Sequence, residues 1–440
     1  MTLRVLTAIE PRHEAAVMIR LGAIATIDVV RRCPDLPDLL AAGAAGLADV
    51  AVVSAGLRGL DRDSLAQLRE ADVHVIGLIG DDEAEERRLR QLGVATIVPA
   101  DSGPEELREA IERLAASTPH TEIGDAEWAA LESGLDPAGR PAEDDSEAPH
   151  DAAKGRVVAV WGPVGSPGRT TLSVNLAGEL AATGVSVLLI DADTYGACVA
   201  QVLGLLDEAA GMAAAARAAE VGTLDLATLA RLAPRVDPGF RVLTGLPSAD
   251  RWPELRAESM THLLDLARGL VDVVIVDCAF CLEDDETLSY DTRAPRRNGA
   301  TLAAIAAADT VLAVGAGDPV GLQRLVRGLP ELREHSGADP TVVVNRVRAS
   351  VAGGSPERRI GEALDRFAGV SVEHFVPEDP VAFDRCLLSA RLLLDEAPKS
   401  LARARVRALA ATLPAMAEPA PSARRRIRPR SATIGRWSTA

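Results

Sequence analysis

The sequence predicts an α/β protein made of two doubly wound parallel sheets, and three observations carry that prediction. The chain has 440 residues, which exceeds one ordinary hydrophobic core and favours two domains. Short runs rich in Val, Ile and Leu alternate with helical patterns over residues 1–118 and again beyond residue 155. From residue 156 an apolar run passes through a glycine-rich turn into a helical pattern. This order of elements is typical of parallel sheets with helices on both faces.

Composition and charge favour a globular protein of the cytoplasm. Hydrophobic residues make up 48% of the chain and charged residues 25%, which is typical of a folded protein. The net charge of -17 argues against nucleic-acid binding by the whole protein, because neutralising phosphates requires clustered Lys and Arg. Five scattered cysteines favour a reduced compartment. Glu10 and Arg12 interrupt the amino-terminal region before a signal-length apolar segment develops.

Five β-α units are predicted in residues 1–118. The strand candidates are LRVLTAI, IDVVRR, VAVVS, VHVIGLIG and ATIVPA, and LDRDSLAQLREA and DEAEERRLRQLG are helix candidates. The segment resembles a response-regulator receiver domain, a flavodoxin-like fold. Ser54 occupies the position of the phosphorylated aspartate and Val98 that of the phosphate-pairing lysine, and Glu10 alone represents the acidic pocket. The resemblance therefore implies a pseudo-receiver that serves protein interaction or dimerisation.

Two segments have the composition of disorder. Residues 119–155 contain ten acidic side chains, two basic ones and four prolines, which predicts a solvated linker. Residues 417–440 form a basic tail, whose last twenty residues carry six arginines and no acid. We favour a disordered end for this tail, because Pro429 spoils an amphipathic helix. Contact with anionic lipid, DNA or an acidic partner is the alternative.

Residues 156–416 contain the predicted site. The strand RVVAVW leads into GPVGSPGRTT, and Leu172, Leu176 and Leu180 then follow at helical spacing. A glycine loop between a strand and a helix is the required context for a phosphate-binding P-loop. Gly165 and Gly168 let the backbone turn its N–H groups inward, and the helix amino terminus favours an anion. Thr170 would offer its hydroxyl to Mg²⁺.

Polar residues end three further apolar strands in this segment. VSVLLIDADTYG delivers Asp191 and Asp193, VDVVIVDCAF delivers Asp277, and TVVVNR delivers Asn345. Ligands bind at the carboxyl ends of strands in doubly wound sheets, so these side chains are expected beside the loop. Asp277 ends its strand at the position typical of a Walker B aspartate, which holds Mg²⁺. Residues 299–317, the most apolar region, contain Asp309 and predict a helix followed by a strand rather than a membrane span.

At these motifs the chain resembles the MinD/ParA family of deviant Walker ATPases over 156–412, and most of all its CpaE/TadZ branch, in which a degenerate receiver precedes the ATPase. The resemblance implies a homodimer that binds ATP and Mg²⁺ and positions division-septum, chromosome or Tad-type pilus machinery, with recruitment to a pole, septum or inner membrane surface. By matching positions, the resemblance also implies which residues bind phosphate and magnesium, which act in catalysis and which bind adenine. These are Gly165, Ser166, Gly168, Arg169, Thr170 and Thr171 for phosphate and magnesium, Asp193 and Arg169 for catalysis, with Asp193 orienting the attacking water, Asp277 for magnesium, and Asn345, Pro377 and Glu378 for adenine.

Two departures from the family pattern predict slow hydrolysis. Val164 occupies the position of the family's signature lysine, and Arg169 occupies the position of the ordinary Walker lysine. An arginine fork cannot replace a small ammonium without moving the contacts, and Pro163 and Pro167 remove two N–H donors. A substitute cation is hypothesised from one basic cluster after Walker B, namely Arg293, Arg296 and Arg297. Because removing transition-state cations slows phosphoryl transfer by about 10³-fold or more, we expect a weak ATPase.

Three function classes follow from these observations. The first is a nucleotide-switched positioning ATPase whose pseudo-receiver contacts a protein partner. The second is a non-hydrolysing scaffold that uses ATP only to lock a dimer or binds none, and the third is a DNA-associated partition ATPase that uses the arginine tail. Cys278 and Cys281 form a C-x-x-C, but no second pair completes four zinc ligands, so free thiols are expected.

Overall fold

A computed structural model describes residues 2–80, 82–116, 155–205, 210–284 and 295–413. Strands and helices alternate strictly in the first of two units. Its elements are β1 Leu3–Ala8, α1 Pro11–Gly22, β2 Ile27–Arg32, α2 Leu36–Ala44, β3 Val50–Ser54, α3 Arg62–Glu70, β4 His74–Ile79, α4 Glu83–Gln91, β5 Thr96–Pro99 and α5 Pro104–Ala116. The five strands predicted from the sequence are therefore present, and β2 and β3 have the predicted bounds.

The five strands form one parallel sheet in the order β2-β1-β3-β4-β5. This is the flavodoxin-like order of doubly wound sheets. Buried side chains of α2, α3 and α4 cover one face, and those of α1 and α5 cover the other. Two-sided coverage explains why β3 is buried along its whole length and carries no polar alternation.

Ser54, at the position compared with a receiver's phosphorylated aspartate, forms a hydrogen bond within the first unit. Ser54 is buried, and its Oγ accepts a hydrogen bond from the Glu10 backbone N–H at 3.0 Å. The Glu10 carboxylate pairs with Arg12 at 2.9 Å. The hydroxyl thus serves the turn that begins α1.

The second unit contains eight strands and most of the helices. Its elements are β6 Arg156–Trp161, α6 Arg169–Ala182, β7 Val187–Ala192, α7 Val199–Val202, α8 Gly211–Glu220, α9 Leu226–Leu232, β8 Arg235–Asp237, β9 Phe240–Leu243, a 3₁₀ helix Ala249–Glu254, α10 Ala257–Leu270, β10 Val273–Cys278, α11 Gly299–Ala306, β11 Thr310–Ala316, α12 Pro319–His335, β12 Thr341–Val347, α13 Ala349–Ala352, α14 Pro356–Ala368, β13 His374–Pro377, α15 Pro380–Ser389, α16 Leu393–Glu396 and α17 Leu401–Ala410. The helix and strand predicted within residues 299–317 are α11 and β11.

The eight strands have the order β13-β12-β11-β6-β10-β7-β9-β8. All pairs are parallel except β8 with β9, which places an antiparallel strand at one edge. Alternate residues of the central strand β6 enter the two cores: Val157 and Ala159 pack with α10 and α12, and Val158 and Val160 pack with α6 and α17. The predicted fold class, two doubly wound α/β units, is confirmed.

Contacts join the two units on the α3 and α4 side of the first sheet. Arg62 Nε and Arg88 Nε donate to the carbonyls of Ala219 and Val221, at 3.2 and 3.1 Å, where α8 ends. Arg256, the residue before α10, forms an ion pair with Asp63 at 2.6 Å. Cations that donate to the last carbonyls of a helix complement its negative end.

The predicted linker 119–155, apart from Gly155, and the predicted tail 417–440 lie outside the described residues, so the domain bounds remain predictions. Across the ranges that are described, no helix combines the length and the apolar character needed to cross a membrane.

Candidate functional site

The glycine loop spans residues 162–168, between the end of β6 and the start of α6. Each flanking glycine is required by a close approach: a Cβ at Gly162 would collide with the Val314 carbonyl oxygen, and one at Gly168 with the Asn345 side-chain amide. Gly165 and Gly168 also have φ of +114° and +101°, which other residues rarely adopt. The predicted role of these glycines in turning the backbone agrees with this geometry.

Uncommitted backbone donors line the loop and the first turn of α6. Within the described chain, none of these N–H groups donates to a protein acceptor, and they belong to Val164, Gly165, Ser166, Gly168, Arg169, Thr170 and Thr171. Pro163 and Pro167 supply none, as predicted from the sequence. Ser166 has a φ of +52°, a strained conformation that persists only where the surroundings impose it. Amides presented at a helix amino terminus form a site for an anion.

Arg169 is folded into the loop rather than extended toward solvent. Its Nη1 donates to the Gly162 carbonyl at 2.8 Å and to the Pro163 carbonyl at 3.4 Å, while Nη2 pairs with Asp193 at 3.2 Å. The two charged side chains are only 11% and 9% exposed. The Nε atom of Arg169 is buried and has no partner among the described atoms. Arg169 therefore bridges β6 and the end of β7 across the position where a phosphate would bind.

Hydroxyl groups on α6 face the Asp277 carboxyl group. Thr170 Oγ1 donates to Asp277 Oδ2 at 2.6 Å, and Ser173 Oγ lies 3.1 Å from Oδ1. Burial raises the pKa of Asp277 well above its usual range, and the neighbouring Asp191 carboxylate raises it further. Cys198 Sγ lies 3.7 Å from the same threonine hydroxyl. A hydroxyl beside a carboxyl is an oxygen donor set of the kind that Mg²⁺ prefers.

Asp191, near the end of β7, and Asp193, just after it, make different contacts. Asp191 is buried and accepts hydrogen bonds from the backbone N–H groups of Asp193 and Val199, so it shapes the turn. Asp193 accepts from Tyr195 N and Gly196 N through Oδ1 at 2.9 and 3.1 Å, and its Oδ2 faces Arg169. The sequence-based role of Asp193 at the loop is compatible with this position.

The turn that carries Asp193 is tied to the segment before α11. The Arg297 guanidinium lies over the Tyr195 ring, 3.9 Å from its centroid, and the Tyr195 hydroxyl donates to Asn298 Oδ1 at 3.0 Å. Arg297 Nη2 also donates to the Thr194 carbonyl at 3.3 Å. Of the predicted substitute cations, Arg297 thus lies beside the Asp193 turn, whereas Arg296 pairs with Asp284 at 2.9 Å. Arg293 falls outside the described residues.

The residues expected to bind adenine lie at the ends of neighbouring strands, since Val347 of β12 is paired with Pro377 of β13. Asn345 is buried, and its amide donates to the Pro167 carbonyl at 2.8 Å, which holds the second half of the loop. The Glu378 carboxylate accepts from Arg348 at 3.1 Å. The structure places Asn345 against the loop and Pro377 on the neighbouring strand, and contact of these residues with a base stays a prediction.

Two residues that the sequence reasoning missed contact the site. Ser173 follows Thr170 by three positions on the buried face of α6, and a buried serine among leucines is the signal that could have identified it. Arg324 of α12 donates from Nη1 to the Val164 carbonyl at 3.1 Å, although it lies 160 residues away along the chain. No sequence pattern points to this contact.

Cys278, the last residue of β10, and Cys281, three residues further on, have partners outside the glycine loop. Cys278 is buried within the sheet, and its Sγ faces the Val276 carbonyl at 3.7 Å. The Asn298 amide donates to Cys281 Sγ at 3.3 Å. Among the described residues, no group of three or more His, Cys, Asp and Glu side chains is arranged to hold a metal ion.

This site defines a P-loop nucleotide-binding protein, with a glycine loop, an amide-lined helix start and a carboxylate on a neighbouring strand. Residues 158–384 match the family described as the CobQ/CobB/MinD/ParA nucleotide binding domain. The match covers more than half of the chain, and the protein belongs to this family. No curated protein matches the chain.

Several solved structures are similar to this chain at low identity, and the first of those below reaches a TM-score that supports the same fold. A ParA family ATPase from Chlorobium tepidum superposes with a TM-score of 0.50 and 18% identity, over 59% of this chain and 99% of its own. The cell division ATPase MinD of Pyrococcus furiosus has a TM-score of 0.46 and 19% identity, over 58% and 97%. Cobyrinic acid a,c-diamide synthase of Mycobacterium smegmatis, solved with ADP and magnesium, has a TM-score of 0.43 and 18% identity, over 58% and 93%.

Proposed function

We propose that the protein binds Mg·ATP in the loop at residues 162–171 and hydrolyses it slowly. The observation that carries this proposal is the set of seven uncommitted N–H groups around the loop, next to the oxygen pair formed by Thr170 and Asp277. The first N–H groups of a helix have no intrahelical acceptor, and here the loop before α6 adds its own N–H groups to theirs, so that together they form a site for an anionic ligand. The family membership supports a nucleotide as that ligand.

The site residues divide the work as follows. Gly165, Ser166 and Gly168 present N–H groups to the phosphates. Thr170 and Asp277 would hold Mg²⁺, which, when bound, neutralises phosphate charge. Thr171, one position further into α6, contributes its N–H.

Slow turnover follows from the contact between Arg169 and Asp193. Arg169 is the cation inside the loop, but in this structure its Nη1 and Nη2 groups are engaged by two carbonyls and Asp193. A bound triphosphate competes with these acceptors for the guanidinium. Asp193 can orient an attacking water only when its Oδ2 is released, so phosphate binding and water activation depend on one movement. We expect this requirement to limit the rate of hydrolysis.

For the base, we propose Asn345 together with Pro377 and Glu378. Asn345 fixes the loop through Pro167, and its Oδ1 remains available as an acceptor for an exocyclic amine. The pairing of β12 with β13 brings the Pro377–Glu378 turn alongside.

For the cell, we propose a homodimeric positioning ATPase of the CpaE/TadZ type. The first unit has the flavodoxin-like strand order, and Ser54 and Val98 in place of the receiver's phosphorylation residues leave it an interaction module. Its partner would be a protein of the septum or of a Tad-type pilus apparatus. Localising a fluorescent fusion with and without residues 1–118 tests this role, and a diffuse signal in both cases contradicts it.

Nucleotide binding is tested by calorimetry and by fluorescence of a labelled ATP, with phosphate release measured in parallel. Thr170→Ala should weaken Mg²⁺-dependent binding at least tenfold, since one charge-assisted contact is removed. Thr183→Ala removes a hydroxyl at the other end of α6 and is the matched control. The absence of heat with millimolar Mg·ATP would contradict the proposal.

A non-hydrolysing scaffold is the second candidate, and the buried contact between Arg169 and Asp193 favours it. Arg169→Lys separates the two candidates, because a lysine cannot span the same three acceptors. Turnover that rises in this variant indicates an ATPase restrained by its own arginine. Binding without turnover in both proteins indicates the scaffold.

A DNA-associated partition role would depend on the basic tail, which lies outside the described residues. DNA affinity that disappears on deletion of 421–440 supports that role, and affinity that persists contradicts the tail as its cause.

A further inference from the structure

Two of the cationic positions expected at the loop cannot serve a ligand in the usual way. Val164 carries no charge, and the residue is 51% exposed. Arg169 is charged but is buried against Asp193 and two loop carbonyls. The outer half of the loop therefore needs another source of positive charge if it is to hold a triphosphate.

Arg324 places a guanidinium at this outer half. Its Nη1 donates to the Val164 carbonyl at 3.1 Å, and a Cβ added at Gly165 would collide with the same guanidinium. The left-handed turn at Gly165 thus provides the space that Arg324 occupies. The side chain is exposed, and among the described residues no carboxylate lies within ion-pair distance of it. One of its five donors is used, and the remainder are available to a ligand.

Close packing of α12 fixes this position. Asp318 caps the helix by accepting from the N–H groups of Val320 and Gly321. A Cβ at Gly321 would meet Ala316 of β11, and a Cβ at Gly328 would meet the Trp161 ring at 2.7 Å. Gly328 follows Arg324 by four positions and therefore lies on the same face of the helix. Because Trp161 is the last residue of β6, that face places Arg324 over the loop that follows.

We infer that Arg324 is a phosphate-binding residue of this site and supplies, from its own chain, the charge absent at Val164. The inference rests on the proposed function, since it requires a nucleoside triphosphate in the loop. An arginine fork suits this task because it binds phosphate oxygens through two parallel N–H groups.

The experiment compares Mg·ATP affinity, by calorimetry, for the unaltered protein, Arg324→Ala and Arg327→Ala. Arg327 is an exposed arginine of the same helix, one turn away, so its replacement removes the same charge. We expect Arg324→Ala to weaken binding by about tenfold or more, the effect of one charge-assisted hydrogen bond, and Arg327→Ala by less than about threefold. Thermal unfolding without nucleotide should be unchanged in both variants, because neither side chain is buried.

A rescue separates charge from structure. Val164→Lys in the Arg324→Ala background returns a cation to the outer half of the loop and should recover most of the lost affinity. Equal affinities for Arg324→Ala and Arg327→Ala, or a loss that Val164→Lys does not repair, would overturn the inference while leaving nucleotide binding intact. An unaltered protein that does not bind Mg·ATP would overturn both this inference and the proposed function.

Discussion

Replacing Arg169 and Asp193 singly and together measures the ion pair that closes the glycine loop. Both side chains are about nine-tenths buried, and their nearest charged atoms are 3.2 Å apart. Breaking a buried pair by removing one partner leaves an uncompensated charge, which costs about 3 to 5 kcal/mol. The free energy of unfolding without nucleotide is the quantity compared.

The contacts that remain in the structure set the loss expected for each variant, and they keep both losses at or below the lower end of that range. After Arg169→Ala, Asp193 keeps two backbone donors on Oδ1 and loses its partner on Oδ2. We therefore expect a loss of about 3 kcal/mol, at the lower end. After Asp193→Ala, Arg169 keeps its two loop carbonyls, and about 2 kcal/mol is lost. The double variant should lose about 3 kcal/mol rather than the sum of about 5, so the coupling energy is about 2 kcal/mol.

Urea unfolding followed by tryptophan fluorescence provides the assay. Trp161 and Trp252 both lie in the second unit, and Trp161 is buried at the end of β6. Replacing Trp128 and Trp437 by Phe confines the signal to that unit, which avoids treating a chain with two sheets as one transition. Repeating the cycle with saturating Mg·ATP shows whether the arginine moves: the coupling energy should fall below about 1 kcal/mol if phosphate replaces Asp193 as its partner.

A coupling energy within about 0.5 kcal/mol of zero without nucleotide would refute the interpretation of Arg169 as a restrained residue. A coupling energy that Mg·ATP leaves unchanged would show that the arginine stays on Asp193 and would favour the scaffold.

Three further results are expected. His262 is buried beside Arg62 with its pKa lowered to about 3, so the unfolded chain binds the proton first as the pH falls below 6.5, and stability is lost. Urea unfolding at pH 6.5 and 5 should show about 2 kcal/mol lost through this group, and His262→Gln should abolish that share; equal pH slopes would contradict the cause. Asp63→Arg should expose α3 to hydrogen exchange by placing like charges together at the junction of the two sheets, and adding Arg256→Asp should restore protection; no recovery in the swapped pair would mean that other contacts set the junction. Gly168→Ala combines a φ of +101° with a collision against the Asn345 amide. Its unfolding midpoint should correspond to a loss of about 2 kcal/mol and its Mg·ATP affinity should fall, while an unperturbed variant would show that the loop tolerates a side chain.

Much of the fold could be predicted because hydrophobic periodicity is local. The runs VAVVS and RVVAVW coincide with β3 and β6, since strands buried on both faces have continuous apolar sequences. Asp277 could be placed for a related reason, because the carboxyl ends of parallel strands meet at one edge. The order of the strands and the antiparallel β8 depend on long-range pairing, and no local pattern encodes them.

The partners of the site's side chains could not be predicted from the sequence for the same reason. The sequence placed Arg169 at the loop but gave no indication that it would pair with Asp193. Arg324 reaches the loop because α12 packs closely on Trp161, and this packing is a feature of the tertiary structure. Charge and spacing identify which residues belong to a site more readily than they identify each residue's partner.

The stacking of Arg297 on Tyr195 has a mechanical consequence. The turn that carries Asp193 cannot move without separating the Tyr195 ring from the Arg297 guanidinium. Gly299, two residues after Arg297, lies beside Ala257. The preceding residue, Arg256, forms the ion pair with Asp63 of the first unit. The ion pair of Arg256 with Asp63 and the stacking of Arg297 on Tyr195 therefore belong to one connected set of contacts, which links the first unit to the turn that carries Asp193.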